Sequence, residues 1–320
     1  MRKVLLLLFT ATAALSAVAQ YNWEYGLLIG GSNYLGDIGG KELTRRDFVW
    51  DMHLNQTRLA LGLYGRYRFS RKLSATANFT HIRIQDRDNL STNPARRARN
   101  LNFRNRLWEL GARAELTVYY DNDVSGRGYY NPDFKLYVFG GLSAYYHNPQ
   151  GQILDPDPGY GIAADDTWYK LRKFKTEGQE KPYSNFGLAI PAGIGLFFTW
   201  EKEWRIGWEL SWRTIFTDYL DDISTVYADP ANMPSDEARA FSSQSSQIII
   251  NEINDPASGS LNDHRYREGF NTKRGDPSHN DSYLTTQLSI AKVIRGRSNF
   301  YRKKYSWFKS RSGRKSRAKF

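Results

Sequence analysis

The stretch FGLAIPAGIGLFFTW-EKE-WRIGWELSWRTIF, residues 186–216, decides the fold. Its first arm sets Phe186, Leu188, Ile190, Ala192, Ile194, Leu196, Phe198 and Trp200 at every second position, against Gly187, Ala189, Pro191, Gly193, Gly195, Phe197 and Thr199. Its second arm sets Trp204, Ile206, Trp208, Leu210, Trp212 and Phe216 against Arg205, Gly207, Glu209, Ser211 and Arg213. Period two marks a β-strand, because successive side chains leave the backbone on opposite faces. Strands of soluble sheets usually run about 5–6 residues. These two arms are far longer, and only Glu201, Lys202 and Glu203 join them. Strands of that length with one greasy face predict a hairpin that crosses a bilayer.

Six further segments share the pattern. Arg58–Phe69 alternates through Leu59, Leu61, Leu63, Tyr67 and Phe69, and Trp108–Tyr120 through Trp108, Leu110, Ala112, Ala114, Leu116, Val118 and Tyr120. Asn22–Gly31, Leu73–Ile84, Phe134–Tyr146 and Leu284–Ile294 are weaker examples. The total of eight is even, as an up-and-down barrel requires. Connections alternate in length: Ser32–Thr57, Gln85–Phe103, His147–Asn185 and Thr217–Tyr283 are long, whereas Ser70–Lys72, Asp121–Asp133 and Glu201–Glu203 are shorter. The sequence therefore predicts an all-β protein, an eight-stranded antiparallel up-and-down transmembrane β-barrel with long extracellular loops. Trp200, Trp204, Phe69, Tyr119 and Tyr120 flank the shorter turns, where aromatic girdles meet the membrane interface.

If the apolar rows face lipid, the opposite rows face the lumen. They carry Glu24, Arg66, Arg68, Glu109, Arg113, Glu115, Arg205, Glu209 and Arg213. An eight-stranded barrel is only wide enough for side chains to fill. Buried charges must pair, so these nine predict a salt-bridge network in a closed barrel and disfavour a pore.

The chain ends differ from the body. Arg2 and Lys3 precede an apolar run, Val4–Leu15, and the small-x-small triplet Ala17-Val18-Ala19, which predicts a signal peptide over 1–19 cleaved after Ala19. A barrel then occupies 20–294 and a basic periplasmic tail 295–320. The 320 residues carry 45 Lys+Arg against 33 Asp+Glu, yet eleven of the basic residues lie between Arg295 and Phe320, where there is no acid. Arg302, Lys303, Lys304 and Trp307 exemplify the tail's mixture of cations and aromatics. On an exported chain, that mixture suits lipid headgroups or an acidic partner, not nucleic acid. There is no cysteine, which excludes disulfides and thiolate metal sites.

Catalytic motifs are wanting. His53, His81, His147, His264 and His279 show no metal-ligand spacing, and no nucleophile elbow or phosphate loop occurs. His81, near the outer end of its strand, is the one residue placed like the histidine of a lipid-modifying barrel, and no partner can be assigned to it. Asp155 with Asp157, Asp165 with Asp166, and Asp218 with Asp221 and Asp222 form acidic groups, but without EF-hand spacing they read as solvated loop carboxylates. The expectation is a protein with no catalytic residues, metal or cofactor.

Two segments carry a resemblance. Glu24-Tyr25-Gly26, continuing through Gly30-Gly31-Ser32-Asn33-Tyr34-Leu35-Gly36-Asp37-Ile38-Gly39-Gly40, and the run from Trp212 to Tyr227 resemble an outer-membrane β-barrel family of Bacteroidota that includes the PorG component of the type IX secretion system. The resemblance implies a small, non-enzymatic barrel in the outer membrane, contacting its lipids and tied to the periplasmic PorK–PorN ring of that machine. The alternatives are a lipid-modifying barrel enzyme and a surface ligand-binding barrel. Asn33, Tyr34 and Asp37 of the first motif, and Asp218, Tyr219, Asp221 and Asp222 of the second, fall just outside strands one and seven. Those strands are near neighbours in a closed barrel, so the two motifs are placed to meet at the rim, where packing that fixes loop direction outweighs a binding site.

Overall fold

The computed structural model describes residues 23–40, 52–121, 133–154, 162–201, 203–245, 251 and 271–294. The expected signal peptide and the basic tail, with Arg302, Lys303, Lys304 and Trp307, lie outside these, as do Asp155 and Asp157. The strands are β1 (Trp23–Leu35), β2 (Arg58–Arg68), β3 (Leu73–Arg87), β4 (Asn102–Asp121), β5 (Asp133–Tyr146), β6 (Gln150–Ile153), β7 (Asp165–Lys170), β8 (Phe186–Trp200), β9 (Trp204–Ile215) and β10 (Ser282–Ile294). Two short helices, α1 (Pro94–Arg99) and α2 (Asp236–Ser242), lie in the connections.

Eight strands close a ring in the order β3-β2-β1-β10-β9-β8-β5-β4, with β4 returning to β3. All eight pairings are antiparallel. The chain is thus a closed eight-stranded barrel. The remaining two strands form a small hairpin attached to β4 through the pair Arg104–Gln150. That hairpin lies in the connection read as a plain loop. Its strands are four and six residues long, too short for a periodicity to register.

β1 also runs four residues past its expected end. Asn33 and Tyr34, expected outside the barrel, pair with Leu284 and Tyr283 in its wall. Apolar alternation stops at Ile29, but the backbone ladder does not need it. Above the greasy belt the outward face is no longer selected for lipid, so polar residues can continue the strand.

The outer wall is apolar. Trp23, Tyr25, Leu27 and Ile29 are exposed while Glu24 and Leu28 are buried, and the same alternation holds along β4 from Trp108 to Leu116. On β4 the outward apolar row continues to Val118. Ten residue steps at about 3.4 Å, tilted by about 40°, give a belt roughly 26 Å tall, matching the apolar band of membrane barrels, about 25 Å. Gly65 and Ala77 leave a groove of about 690 Å³ in this outer wall, between Tyr25 and Phe79.

Inside, the half nearer the tight turns holds ion pairs. The half nearer the long loops is filled by an apolar cluster. There Ile82, Phe103, Leu107, Tyr145, Ile215 and Tyr283 from the strands meet Ile38, Leu220 and Ile223 from the connections. The connections therefore plug the mouth. A second small core, built on Ile153, Leu171, Phe174, Met233 and Phe241, ties the β6–β7 hairpin region to α2 above it.

Candidate functional site in the lumen and at its rim

Arg66 and Glu209 are the hubs of the lumen. Arg66 pairs with Glu24, with Glu115 at 2.6 Å and with Glu209 at 3.3 Å. Arg113 reaches Glu209 at 2.6 Å and Glu115 at 3.2 Å. Arg205 completes the bottom by pairing with Glu24. Nearer the mouth, Arg213 pairs with Glu109 at 2.7 Å, and the Tyr283 hydroxyl donates to the same carboxylate at 2.6 Å. Eight of the nine predicted lumen charges thus meet. Arg68 does not. It sits half-exposed at the tight-turn end of β2 and makes no ion pair with any of the four lumen glutamates. Its side chain points to the lumen side, but the strand ends there, and water competes for its charge.

The sequence reading missed the aromatic packing among these charges. Tyr137, Phe139 and Phe197 form an inward cluster. The guanidinium of Arg113 lies 4.2 Å from the Phe139 ring centroid, and that of Arg205 lies 4.7 Å from Phe197. The Tyr137 hydroxyl donates to Glu209 at 2.5 Å. The signal was present in the row Lys135, Tyr137, Phe139, which alternates with the apolar row of β5. Gly195 serves this cluster: a Cβ there would stand 2.4 Å from the Tyr137 ring. The glycines facing the lumen of β8 make room for aromatic rings: Tyr145 beside Gly187, Phe139 beside Gly193 and Tyr137 beside Gly195.

At the rim the two resembling motifs are in contact. The Tyr34 hydroxyl lies 2.7 Å from Asp221 Oδ2 and 2.5 Å from Asp281 Oδ1. The Asp37 amide donates to that hydroxyl at 3.2 Å, and the Ile38 amide to Asp221 at 3.1 Å. Gly36 allows this closeness, since a Cβ there would stand 2.0 Å from Asp281 Oδ1. A phenol has one hydrogen. It can donate to only one of two carboxyls, so the other must carry a proton and donate in turn. The electrostatics agree: burial, followed by the charge of Asp37, pushes Asp221 up to about 8. Burial with Asp37 and Asp221 nearby pushes Asp218 up to about 9. Asp281 and Asp37 are raised too, in each case chiefly by burial. Asp218 is buried, and the charges beside it are those of other carboxylates.

The other motif residues hold the connections in place. Asp222, raised by burial to about 6, accepts from Thr176 and Tyr183, both at 2.6 Å. Tyr219 stacks on Tyr183 with ring centroids 4.9 Å apart. Asn33 donates to the His53 carbonyl and to Thr57, each at 3.0 Å. Two buried arginines that the sequence reading did not single out brace the plug. Arg99 forks onto Asp88 at 2.7 and 2.9 Å, and Arg274 reaches Glu177 at 3.0 Å. Arg99 ends the six-residue α1 and Arg274 lies in a connection, and neither is long or regular enough for periodicity to give a burial signal.

Among the described residues no group of three His, Asp or Glu side chains is arranged to hold a metal ion. His81 points outward, its ring 4.3 Å from that of Trp108, and its Nδ1 has no hydrogen-bond partner.

Residues 2–157 match the family described as a domain of unknown function, DUF6089. No curated protein matches the chain. Among solved structures, the chain is similar to the N-terminal β-barrel domain of Pseudomonas aeruginosa OprF at 8% identity, covering 86% of this chain and 98% of that one, with a TM-score of 0.31. Neisserial surface protein A gives 7% identity, 85% and 97% coverage and a TM-score of 0.34. Ail of Yersinia pestis gives 9% identity, 85% and 98% coverage and a TM-score of 0.34. The barrel itself rests on the closed strand register described above.

Proposed function

We propose that this protein is an integral outer-membrane barrel that acts as a non-enzymatic anchor for a protein-secretion machine of the type IX kind. The observation that carries the reading is a cylinder greasy outside and filled inside. The apolar belt calls for lipid. The lumen is occupied by ion pairs, aromatic rings and a plug of loop residues, which leaves a pore function without support. A closed barrel with its short turns at one end and its folded connections at the other is suited to holding something in place. The resemblance of the Asn33–Asp37 and Asp218–Asp222 motifs to the PorG-containing family supplies the particular machine. The basic sequence of 295–320 supplies positive charge for binding acidic periplasmic ring proteins.

The test is co-purification from the native envelope. Periplasmic ring proteins should follow the full chain and be lost on truncation after Ile294. Undiminished cargo export in a clean deletion strain would overturn the secretion role. The folded β6–β7 and α2 region favours a second reading, a surface ligand binder. Under that reading, protease treatment of whole cells would abolish binding while leaving the barrel intact.

A further inference from the structure

At the long-loop end of the barrel, the end of β3 and the start of β4 carry arginines on their outward face. We infer that they form a docking site for the phosphate groups of the glycolipid in the outer leaflet. The inference rests on the outer-membrane reading and deepens it. The register places Arg83 directly opposite Arg106, and Gln85 opposite Arg104. Ile82, Ile84, Asn105 and Leu107, which alternate with them, are buried, so the arginines point away from the lumen. Arg83 and Arg106 are exposed, and no described carboxylate pairs with Arg83, Arg104 or Arg106. Like charges directly across a strand pair are destabilising. A sheet that keeps them has a use for an anion there.

The partners that Arg104 does have are neutral. It donates to Gln150 at 2.9 Å, and its guanidinium lies 4.1 Å from the Trp168 ring centroid. Both contacts orient the guanidinium without cancelling its charge.

Position selects a lipid phosphate over a soluble anion. One outward step below Arg83 and Arg106 stand His81 and Trp108, their ring centroids 4.3 Å apart, and Phe79 stacks on the same Trp108 at 5.5 Å. That step is about 7 Å along the strand. The cations therefore begin where the greasy wall ends, on the wall itself and at the long-loop end. A lipid whose acyl chains lie along Phe79 and Trp108 would bring its headgroup to this height. Arginine forks match phosphate oxygens two at a time, and clustered cations at a membrane surface recruit anionic lipids.

The experiment uses the full mature chain extracted in zwitterionic detergent. It is mixed with phosphorylated lipid A or with enzymatically dephosphorylated lipid A, and bound lipid is counted by native mass spectrometry. The expected result is retention of phosphorylated lipid A, at least tenfold less in the double variant R83Q/R106Q, and weak retention of the dephosphorylated form by both proteins. Heat-modifiable gel migration controls for folding. Without lipid the double variant should unfold at the same temperature or higher, because a repulsion is removed, and only the wild type should gain stability when phosphorylated lipid A is added. Equal retention of the two lipids, or no change in the double variant, overturns the site. So does tighter capture of a soluble sulfated polysaccharide lost in the same variant, which would hand the patch to that partner. Failure of the chain to fractionate with outer membranes sinks the location instead. A membrane-embedded chain with no phosphate preference sinks only this site.

Discussion

In the lumen, four glutamates are matched by four arginines, with N–O separations up to 3.3 Å. At the rim, Asp37, Asp218, Asp221 and Asp281 gather around Tyr34 with no ion-pair partner among the described residues. The two regions solve the same problem, a carboxylate removed from water, by different means. The lumen uses fixed cations, and an arginine keeps its charge at any pH the protein meets. The rim uses protons, which can be withdrawn. The barrel is thus built as a permanent structure, and the seating of its plug is conditional.

The strongest way to break the comparison is to unbalance the lumen. Glu209→Gln strips a charge shared by Arg66, Arg113 and Tyr137. Removing one partner of a buried pair costs about 3–5 kcal/mol. Urea unfolding in detergent, followed by tryptophan fluorescence, should show a loss of that size. The double variant Glu109→Gln/Arg213→Met, which deletes a pair together, should lose less than the sum of its singles. Full additivity would mean that the lumen is wet enough for each charge to be solvated alone.

The rim should respond to pH in a determined direction. In the unfolded chain Asp218 and Asp221 titrate near the ordinary carboxylate value, about 4. In the folded chain they are raised to about 9 and about 8. Below pH ~4 both states are protonated and no penalty exists. As pH rises from there to ~8–9, the unfolded chain ionises first, so the plug loses stability across that window and levels off above it. Hydrogen-exchange protection at Ile38, Leu220 and Ile223, corrected for the intrinsic rate at each pH, should fall accordingly. Asp218→Asn should flatten the dependence and protect the plug at pH 8, because the amide has no proton to lose. Protection that instead increases with pH would show that the cluster is held by something other than protons.

The same contrast explains what the sequence made legible. Lumen charges were readable because each occupies the polar phase of a period-two strand, as Glu209 does between Trp208 and Leu210. Position in the phase fixes the face, and a narrow barrel turns the face into contact. Asn33 to Asp37 and Asp218 to Asp222 sit where the period has run out, so only their likeness to a known family marked them. Asp281, Arg99 and Arg274 had neither signal. Their burial comes from how connections far apart in the chain stack over the mouth, and no local pattern encodes that. Short pieces such as β6 are invisible for a related reason: four residues held by one pair to β4 depend on tertiary context.

Arg68 gives the smallest expected effect and the sharpest test of phase against depth. It shares the inward phase of Arg66 on β2, two residues away, yet Arg66 is buried and Arg68 is half-exposed. If facing inward were enough to join the network, Arg68→Gln would cost as much as losing a buried partner. Where the strand meets the turn, water screens the charge, and surface substitutions stay within about 0.5 kcal/mol. Arg66→Gln and Arg68→Gln, unfolded side by side, should therefore differ by several kcal/mol although they change the same residue type on the same face of one strand. Comparable losses would place the edge of the dry interior below Arg68, and the ion-paired layer would then extend to the very end of the barrel.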